Sequence, residues 1–397
     1  MKTGLRDEGA NKIMDGLKND ISNFYTFLTA YSGKQKKTLS FFSDSWADFE
    51  QWKTIAKSHL FKLLNYFPEP APLDAKVLNV FEKADFIQEE IEFSTAKNVR
   101  VRGTLLIPRG NGKTFPAIIG IHDHGGFYYL GREKIIAQEE ESDLLKNFKK
   151  TYYGGRSWAN EMVKKGYIVL SIDGFYFGSR KLDINHLTDE ALENCPYKLN
   201  GLTPGTDEYI NTYNKMCGYF ESLLVKHIFI SGTTWPGILF HDDRACVDYL
   251  YTRKEVDIER IGCCGLSIGG FRAAHLAALD SRIKCTVVAG WMTSYHSLQW
   301  NRLRNHTYMV YIPNLTSSLD LPDVVTLTAP NPLFIQQCSE DHLFHLDGMH
   351  EANAQIEKVY QRLGHSGKLK SQFYSNPHEF NVNMQEDAFS WFDQWMK

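Results

Sequence analysis

Five residues, Gly265-Leu266-Ser267-Ile268-Gly269, constrain this chain more than any other stretch. A short apolar run, Arg260-Ile261-Gly262-Cys263-Cys264, precedes them, and a helix-like run from Phe271 to Leu279 follows. A strand that breaks into a helix at such a turn is a nucleophile elbow. Glycine permits the sharp turn where a Cβ would clash. The turn lifts the serine hydroxyl out of the sheet, and the new helix points its N-terminus at the reaction centre. The expectation is a serine nucleophile, Ser267, lifted out of the sheet at the end of a strand.

The flanking pattern agrees with a parallel sheet covered on both faces. Ala117 to Ile121, Tyr167 to Ile172, Ile261 to Cys264, Cys285 to Ala289 and Leu333 to Ile335 are short apolar runs separated by helical patterns. Phe86 to Phe93 and Val99 to Ile107 read as a hairpin at one edge. A strand near Lys370 to Tyr374 and a helix near Asn383 to Met396 close the chain. Residues 1–80 read as an N-terminal helical extension packed on the core, and 81–397 as the catalytic domain. In the extension, Ile13, Leu17, Ile21, Phe24, Leu28 and Tyr31 recur at helical spacing up to a stop at Gly33. A second helix begins near Ser45, with Phe49, Trp52, Ala56, Leu60, Leu63 and Phe67 as one apolar stripe, ended by Pro68, Pro70 and Pro72. Two long stretches, 127–156 and 179–236, interrupt the alternation and read as loops or lids over a pocket at the carboxyl ends of the strands.

Charge excludes one class of partner. The chain has 397 residues, 44 Lys and Arg against 47 Asp and Glu, and a net charge of −3. With the basic residues dispersed, nucleic acid is not expected as a partner. No segment reaches the roughly 20 apolar residues of a membrane span, so no membrane is expected either. The seven cysteines contain no C-x-x-C pair and several lie in apolar runs. Buried thiols in a reducing cytoplasm fit that pattern, or a secreted protein whose signal peptide has been removed. The oligomeric state is open, a homodimer included.

A serine hydroxyl needs a base within hydrogen-bond reach, and the base needs an orienting group. In this layout both follow later strands, in the order serine, acid, histidine. The run ending near Cys338 leads into Ser339-Glu340-Asp341-His342, which makes Asp341 the acid, with Glu340 the weaker choice. After the last strand comes Ser375-Asn376-Pro377-His378-Glu379-Phe380, so His378 is the base, ahead of His365. The tetrahedral intermediate needs N–H donors. The Ile268 amide is one. The other comes from His122-Asp123-His124-Gly125-Gly126, with the His124 amide first and Gly125 next.

The stretches Asp243-Arg244-Ala245, Asp257 to Gly262, Gly265 to Gly270 and Leu279 to Ile283, with the His-x-His-Gly-Gly loop and Pro377 to Phe380, resemble α/β-hydrolases of the dienelactone hydrolase and acetyl xylan esterase group. The likeness spans roughly residues 45–397, the insertions apart. It implies an α/β-hydrolase fold: a mostly parallel eight-stranded sheet with helices on both faces, an N-terminal helical extension and lid-like insertions. It implies a Ser-Asp-His triad on Ser267, Asp341 and His378. Asp123 stands where that group often has glycine. The serine, where dienelactone hydrolases proper carry cysteine, favours ordinary carboxylic esters.

The expected activity is hydrolysis of a small-molecule carboxylic ester through an acyl-enzyme, without a cofactor; the resemblance adds acetyl esters of carbohydrates. Two other readings compete. A metal-dependent hydrolase could use His122 and His124 with Asp341, His342 and His345. A hydrolase-like binding protein would lack catalysis altogether. The aromatics Tyr176, Phe177, Tyr209, Tyr213, Tyr219, Phe220 and Trp235 either stack on a sugar or form the interior of a lid.

Overall fold

Strands apolar on both faces need cover on both sides, and that demand organises the molecule. The computed structural model describes residues 24–42, 46–110, 114–298 and 302–397. Nine strands form one sheet: β1 (Lys76–Glu82), β2 (Phe86–Ala96), β3 (Val99–Pro108), β4 (Phe115–Ile121), β5 (Ile168–Ile172), β6 (Val256–Leu266), β7 (Ile283–Ala289), β8 (Leu333–Cys338) and β9 (Leu369–Tyr374). Their order is β1-β2-β3-β5-β4-β6-β7-β8-β9. Pairing is antiparallel from β1 through β3 to β5 and parallel from β5 to β9.

The count is nine where the resemblance implies eight. The additional strand is β1, which pairs with β2 at the edge and is exposed along its whole length. It contains Val77, Leu78, Val80 and Phe81 and has no alternation of apolar and polar residues to mark it as a strand.

Eleven helices are described: α1 (Phe24–Lys34), α2 (Phe49–Leu64), α3 (Asp143–Tyr153), α4 (Trp158–Lys164), α5 (Asp189–Asn194), α6 (Asp207–Ile230), α7 (Trp235–Tyr251), α8 (Ile268–Leu279), α9 (Leu321–Thr326), α10 (Leu346–Arg362) and α11 (Val382–Met396). Alternate residues of β4 face opposite layers. Ile118 packs with Trp158, Met162 and Phe389 from α4 and α11. Ile119 packs with Val247 and Leu250 of α7 and Leu276 of α8. A bidentate pair from Arg272 to Asp243, at 2.9 and 2.6 Å, ties α8 to α7 inside the protein.

The extension differs from expectation in detail. Ile13, Leu17 and Ile21 lie outside the described residues. Helix α1 runs through Gly33, and Leu28 and Tyr31 are exposed, so these two do not form a buried stripe. Helix α2 starts at Phe49 rather than near Ser45, because the Asp48 carboxylate caps it by accepting the Glu50 and Gln51 amides at 2.8 and 3.0 Å. Asn65, at φ 45°, ends it. Trp52, Ala56, Leu60 and Leu64 are buried, while Phe67 lies past the cap and is exposed.

The two insertions fold into helices. The first carries a short 3-10 turn, Arg132–Lys134, and α3; the second carries α5 and the 24-residue α6. Among the described residues no single helix is both long and apolar enough to cross a membrane; α6 and α7 meet that test only as a pair bent by 83°.

Candidate active site

The elbow is built by steric necessity. Ser267 sits at φ 60°, ψ −123°, between the end of β6 and the first turn of α8. A Cβ on Gly265 would meet the Ile121 carbonyl oxygen at 2.6 Å, and one on Gly269 would collide with the same oxygen. Only glycine lets α8 pass this close to β4. The Ser267 amide donates to the Ala289 carbonyl at 2.9 Å, which anchors the turn to β7. The strained backbone at a non-glycine residue is a feature that functional sites retain. The Ile268 amide opens α8 and has no acceptor within the helix.

Asp341 and His378 arrive on the loops after β8 and β9, which are adjacent parallel strands. Nδ1 of His378 donates to Asp341 Oδ2 at 2.5 Å, and the other carboxylate oxygen accepts the Leu343 amide at 2.8 Å. This holds the imidazole in the tautomer that leaves Nε2 with its lone pair. Asp341 is buried and Glu340 exposed, so the acidic residue turned inward is Asp341. His365 lies before β9, away from this pair.

Ser267, Ile268 and His378 line one cavity of about 480 Å³, together with Asp123, His124 and Gly125. The structure therefore brings together Ser267, the Asp341–His378 pair and all three residues expected to supply amide donors. Neither the His124 nor the Gly125 amide donates within the protein among the described residues.

Sequence reasoning missed the wall opposite. Glu221 comes from α6, in the second insertion. Its Oε1 accepts hydrogen bonds from Tyr128 Oη at 2.7 Å, Thr307 Oγ1 at 2.9 Å and His124 Nε2 at 3.1 Å. Burial by itself would raise this carboxyl's pKa; the three donors outweigh it and hold the group below its ordinary value. The Gly126 amide donates to His124 Nδ1 at 3.0 Å, so Nε2 of that ring carries the hydrogen. Trp291, Val310 and Leu343 supply apolar surface, and Arg304, Asn305 and Thr307 polar surface. Trp291 and Phe344 pack edge to face at 5.2 Å. No short motif announces Glu221: on α6 it is one acidic residue in a mixed helix.

Most of the aromatics in and just before the second insertion are packed in the protein interior. Tyr176, Phe177, Tyr213, Phe220 and Trp235 are buried, and none of them lines the cavity. Tyr209 stacks on Tyr213 with ring centres 6.2 Å apart, and Tyr219 is exposed.

Three donors of the metal reading, His122, His124 and Asp341, are engaged elsewhere. His122 is fully buried; its Nε2 accepts the Gly174 amide at 3.0 Å and its Nδ1 lies 2.9 Å from the Asp123 carbonyl. His124 holds Glu221, and Asp341 holds His378. His342 lines the cavity, His345 precedes α10, and His350 stacks on Phe373 at 4.2 Å. Among the described residues no three His, Cys, Asp or Glu side chains converge as a metal cage.

No family model matches the sequence. A curated relative, the "Putative hydrolase YtaP" of Bacillus subtilis (strain 168), is 24% identical over 341 residues, which is 86% of this chain and 98% of that protein. Among solved structures, a "putative acetyl xylan esterase" from Bacteroides fragilis NCTC 9343 aligns with a TM-score of 0.70 at 17% identity, over 91% of this chain and 87% of its own. The glucuronoyl esterase from Solibacter usitatus aligns with a TM-score of 0.60 at 14% identity, over 88% of this chain and 95% of its own.

Proposed function

We propose that this chain, which has the α/β-hydrolase fold, is a serine hydrolase of carboxylic esters that works through an acyl-enzyme on Ser267. One observation carries the reading: a serine strained onto a strand-to-helix turn shares a cavity with a histidine whose far nitrogen is held by a buried carboxylate.

The chemistry follows from the placement. His378 Nε2 takes the Ser267 proton as Oγ bonds to the ester carbonyl carbon, and the carbonyl π electrons move onto oxygen. Asp341 stabilises the resulting imidazolium. The amides of Ile268, His124 and Gly125 are the candidate donors to that oxygen. When the oxyanion collapses, the C–O bond to the alcohol breaks and His378 gives its proton to the leaving oxygen. Water, deprotonated by the same nitrogen, then attacks the acyl-enzyme and releases the carboxylic acid and Ser267.

An acetyl ester of a carbohydrate is the substrate class we favour. A protein named a putative acetyl xylan esterase and one named a glucuronoyl esterase share the fold. The cavity lends support of its own, since Glu221, Asn305 and Arg304 give it hydrogen-bonding groups suited to a polyhydroxylated alcohol, beside a small apolar wall of Trp291 and Val310. All seven cysteines are free and buried, which fits a reducing cytoplasm.

The test is hydrolysis of p-nitrophenyl esters from acetate to octanoate, with and without a serine-directed phosphonate and EDTA. The expected result is fastest turnover on the shortest acyl chains, abolished by a single phosphonate adduct on Ser267 and unaffected by EDTA. Loss to EDTA without phosphonate sensitivity would replace this reading with a metal-dependent one.

A further inference from the structure

Lys134 stands at the end of the 3-10 turn in the first insertion and is fully buried. An ammonium taken out of water is costly unless it is paired. This one forms no ion pair among the described residues. Its Nζ donates instead to two consecutive carbonyls, Asp123 O and His124 O, both at 2.9 Å. The rings of Phe177 and Phe148 have their centres 4.5 and 5.4 Å from it.

The two carbonyls matter because of what lies across each peptide. In a trans peptide the C=O and N–H point in opposite directions. The Asp123 carbonyl shares its peptide with the His124 amide, and the His124 carbonyl shares its peptide with the Gly125 amide. Lys134 draws both carbonyls to one side, where His122 Nδ1 also reaches the Asp123 oxygen at 2.9 Å and the Phe127 amide the His124 oxygen at 3.1 Å, and both N–H groups turn to the other. Those amides have no acceptor within the protein among the described residues, and their residues line the cavity with Ser267. Gly125 at φ 52° and Gly126 at φ 67° make this turn accessible to the backbone. The cation also polarises the two peptides, so their N–H ends become better donors to a developing negative charge.

We infer that Lys134 is a positioning residue for ester hydrolysis: it clamps the Asp123 and His124 carbonyls so that the His124 and Gly125 amides form the second half of the oxyanion hole. The inference rests on the reading of Ser267 as nucleophile and assigns a function to the first insertion beyond covering the site.

Lys134→Met keeps the apolar stem and removes the clamp. Oxo and thiono forms of the same p-nitrophenyl acetate separate an oxyanion effect from a general one, because a developing sulfur anion accepts hydrogen bonds weakly. Removing one oxyanion donor costs about 10²–10³ in kcat where it has been measured, and here both donors remain but are misaligned. The expected result is a kcat on the oxo ester lower by about 10- to 100-fold, KM within about twofold, and an oxo-to-thiono rate ratio lower by about fivefold or more, in a protein that unfolds no earlier than wild type. A kcat within about threefold of wild type, or an unchanged ratio, overturns the inference. If Lys134→Met does not fold, Lys134→Gln is judged by the same ratio; failure of both to fold makes the lysine structural and overturns it too. Wild-type and Ser267→Ala proteins run alongside. An inactive wild type, or an active Ser267→Ala, removes the serine esterase reading itself, and this inference with it.

Discussion

Two loops meet at the cavity, and they are held in opposite ways. The elbow at residues 265–269 is fixed by its own backbone, because β4, β6 and α8 approach too closely for any Cβ at Gly265 or Gly269. The loop at residues 122–126 has bonds of its own, from the Gly126 amide to His124 Nδ1 and from His122 Nδ1 to the Asp123 carbonyl, but much of its hold comes from outside. Lys134 holds its carbonyls, Glu221 holds the His124 ring, and Tyr153 Oη donates to Asp123 Oδ1 at 2.5 Å. Those three side chains come from the two insertions. The geometry at Ser267 therefore belongs to the sheet, while that of residues 122–126 depends on what has been inserted between strands. A fold can keep the first and vary the second, which is one route by which a common scaffold comes to act on different esters.

The sharpest way to break the comparison is at the reacting atoms. Ser267→Ala should lower kcat by about 10⁶ and His378→Ala by a similar factor, with no change in the circular dichroism spectrum. Asp341→Asn should cost about 10⁴, because an amide there favours the wrong imidazole tautomer. Stopped assays with p-nitrophenyl acetate measure all three. An Asp341→Asn protein within tenfold of wild type would show that His378 is oriented by something other than this carboxylate.

If the elbow is a matter of steric clearance, Gly269→Ala should damage stability as well as rate. The added methyl has to displace the Ile121 backbone, and overpacking of this kind costs about 1–3 kcal/mol. A urea midpoint unchanged from wild type would mean that the approach of α8 to β4 is looser than these distances.

Glu221→Gln tests the other loop. The amide keeps one acceptor for three donors but loses the charge that strengthens those hydrogen bonds. Turnover should fall about 10- to 100-fold, and stability by about 1–3 kcal/mol, since a buried charge-assisted hydrogen bond contributes on that scale. The elbow should be untouched, so the variant should still react fully, though slowly, with a phosphonate at Ser267. Failure to label at any time would tie the two loops together and end the distinction between them.

The same division explains how much could be read from the sequence. The turn at Ser267 and the positions of Asp341 and His378 were legible because each is local: glycine spacing, or a position just past a strand. The parallel strands were legible because their length and bilateral burial leave continuous apolar runs. Strand β1 was not, since every one of its residues is exposed and its side chains report no burial. Glu221 and Lys134 were not, since their meaning arises only where α6 and the 3-10 turn fold back against residues 122–126, and no spacing along the chain records that meeting. The aromatics of the second insertion could be read two ways for the same reason. Their burial away from the cavity is a property of packing, and the composition of the segment is equal under both readings.

The smallest effect expected is on stability against pH, and it isolates the clamp from the elbow. Burial pushes the Lys134 pKa down from its ordinary 10.5 to about 8; Asp123, Glu133 and Asp173 oppose this, and Arg272 adds to it. Below pH 8 both folded and unfolded chains hold this proton, and the full cost of the buried charge is present. Between about 8 and 10.5 the unfolded chain binds the proton more tightly than the folded one, so this residue's contribution to stability rises with pH. Buried cysteines and tyrosines, whose pKa values burial raises, act in the opposite direction over the upper part of that window. The wild-type curve alone would therefore mix several groups. The difference between Lys134→Met and wild type removes them, because both proteins carry the same thiols and phenols. At pH 7 the variant should unfold at a higher urea midpoint, and by pH 9.5 the gap should have narrowed. A gap that is constant across that range would mean Lys134 does not lose its proton there, and that its charge survives burial through the two carbonyls and two aromatic faces that surround it.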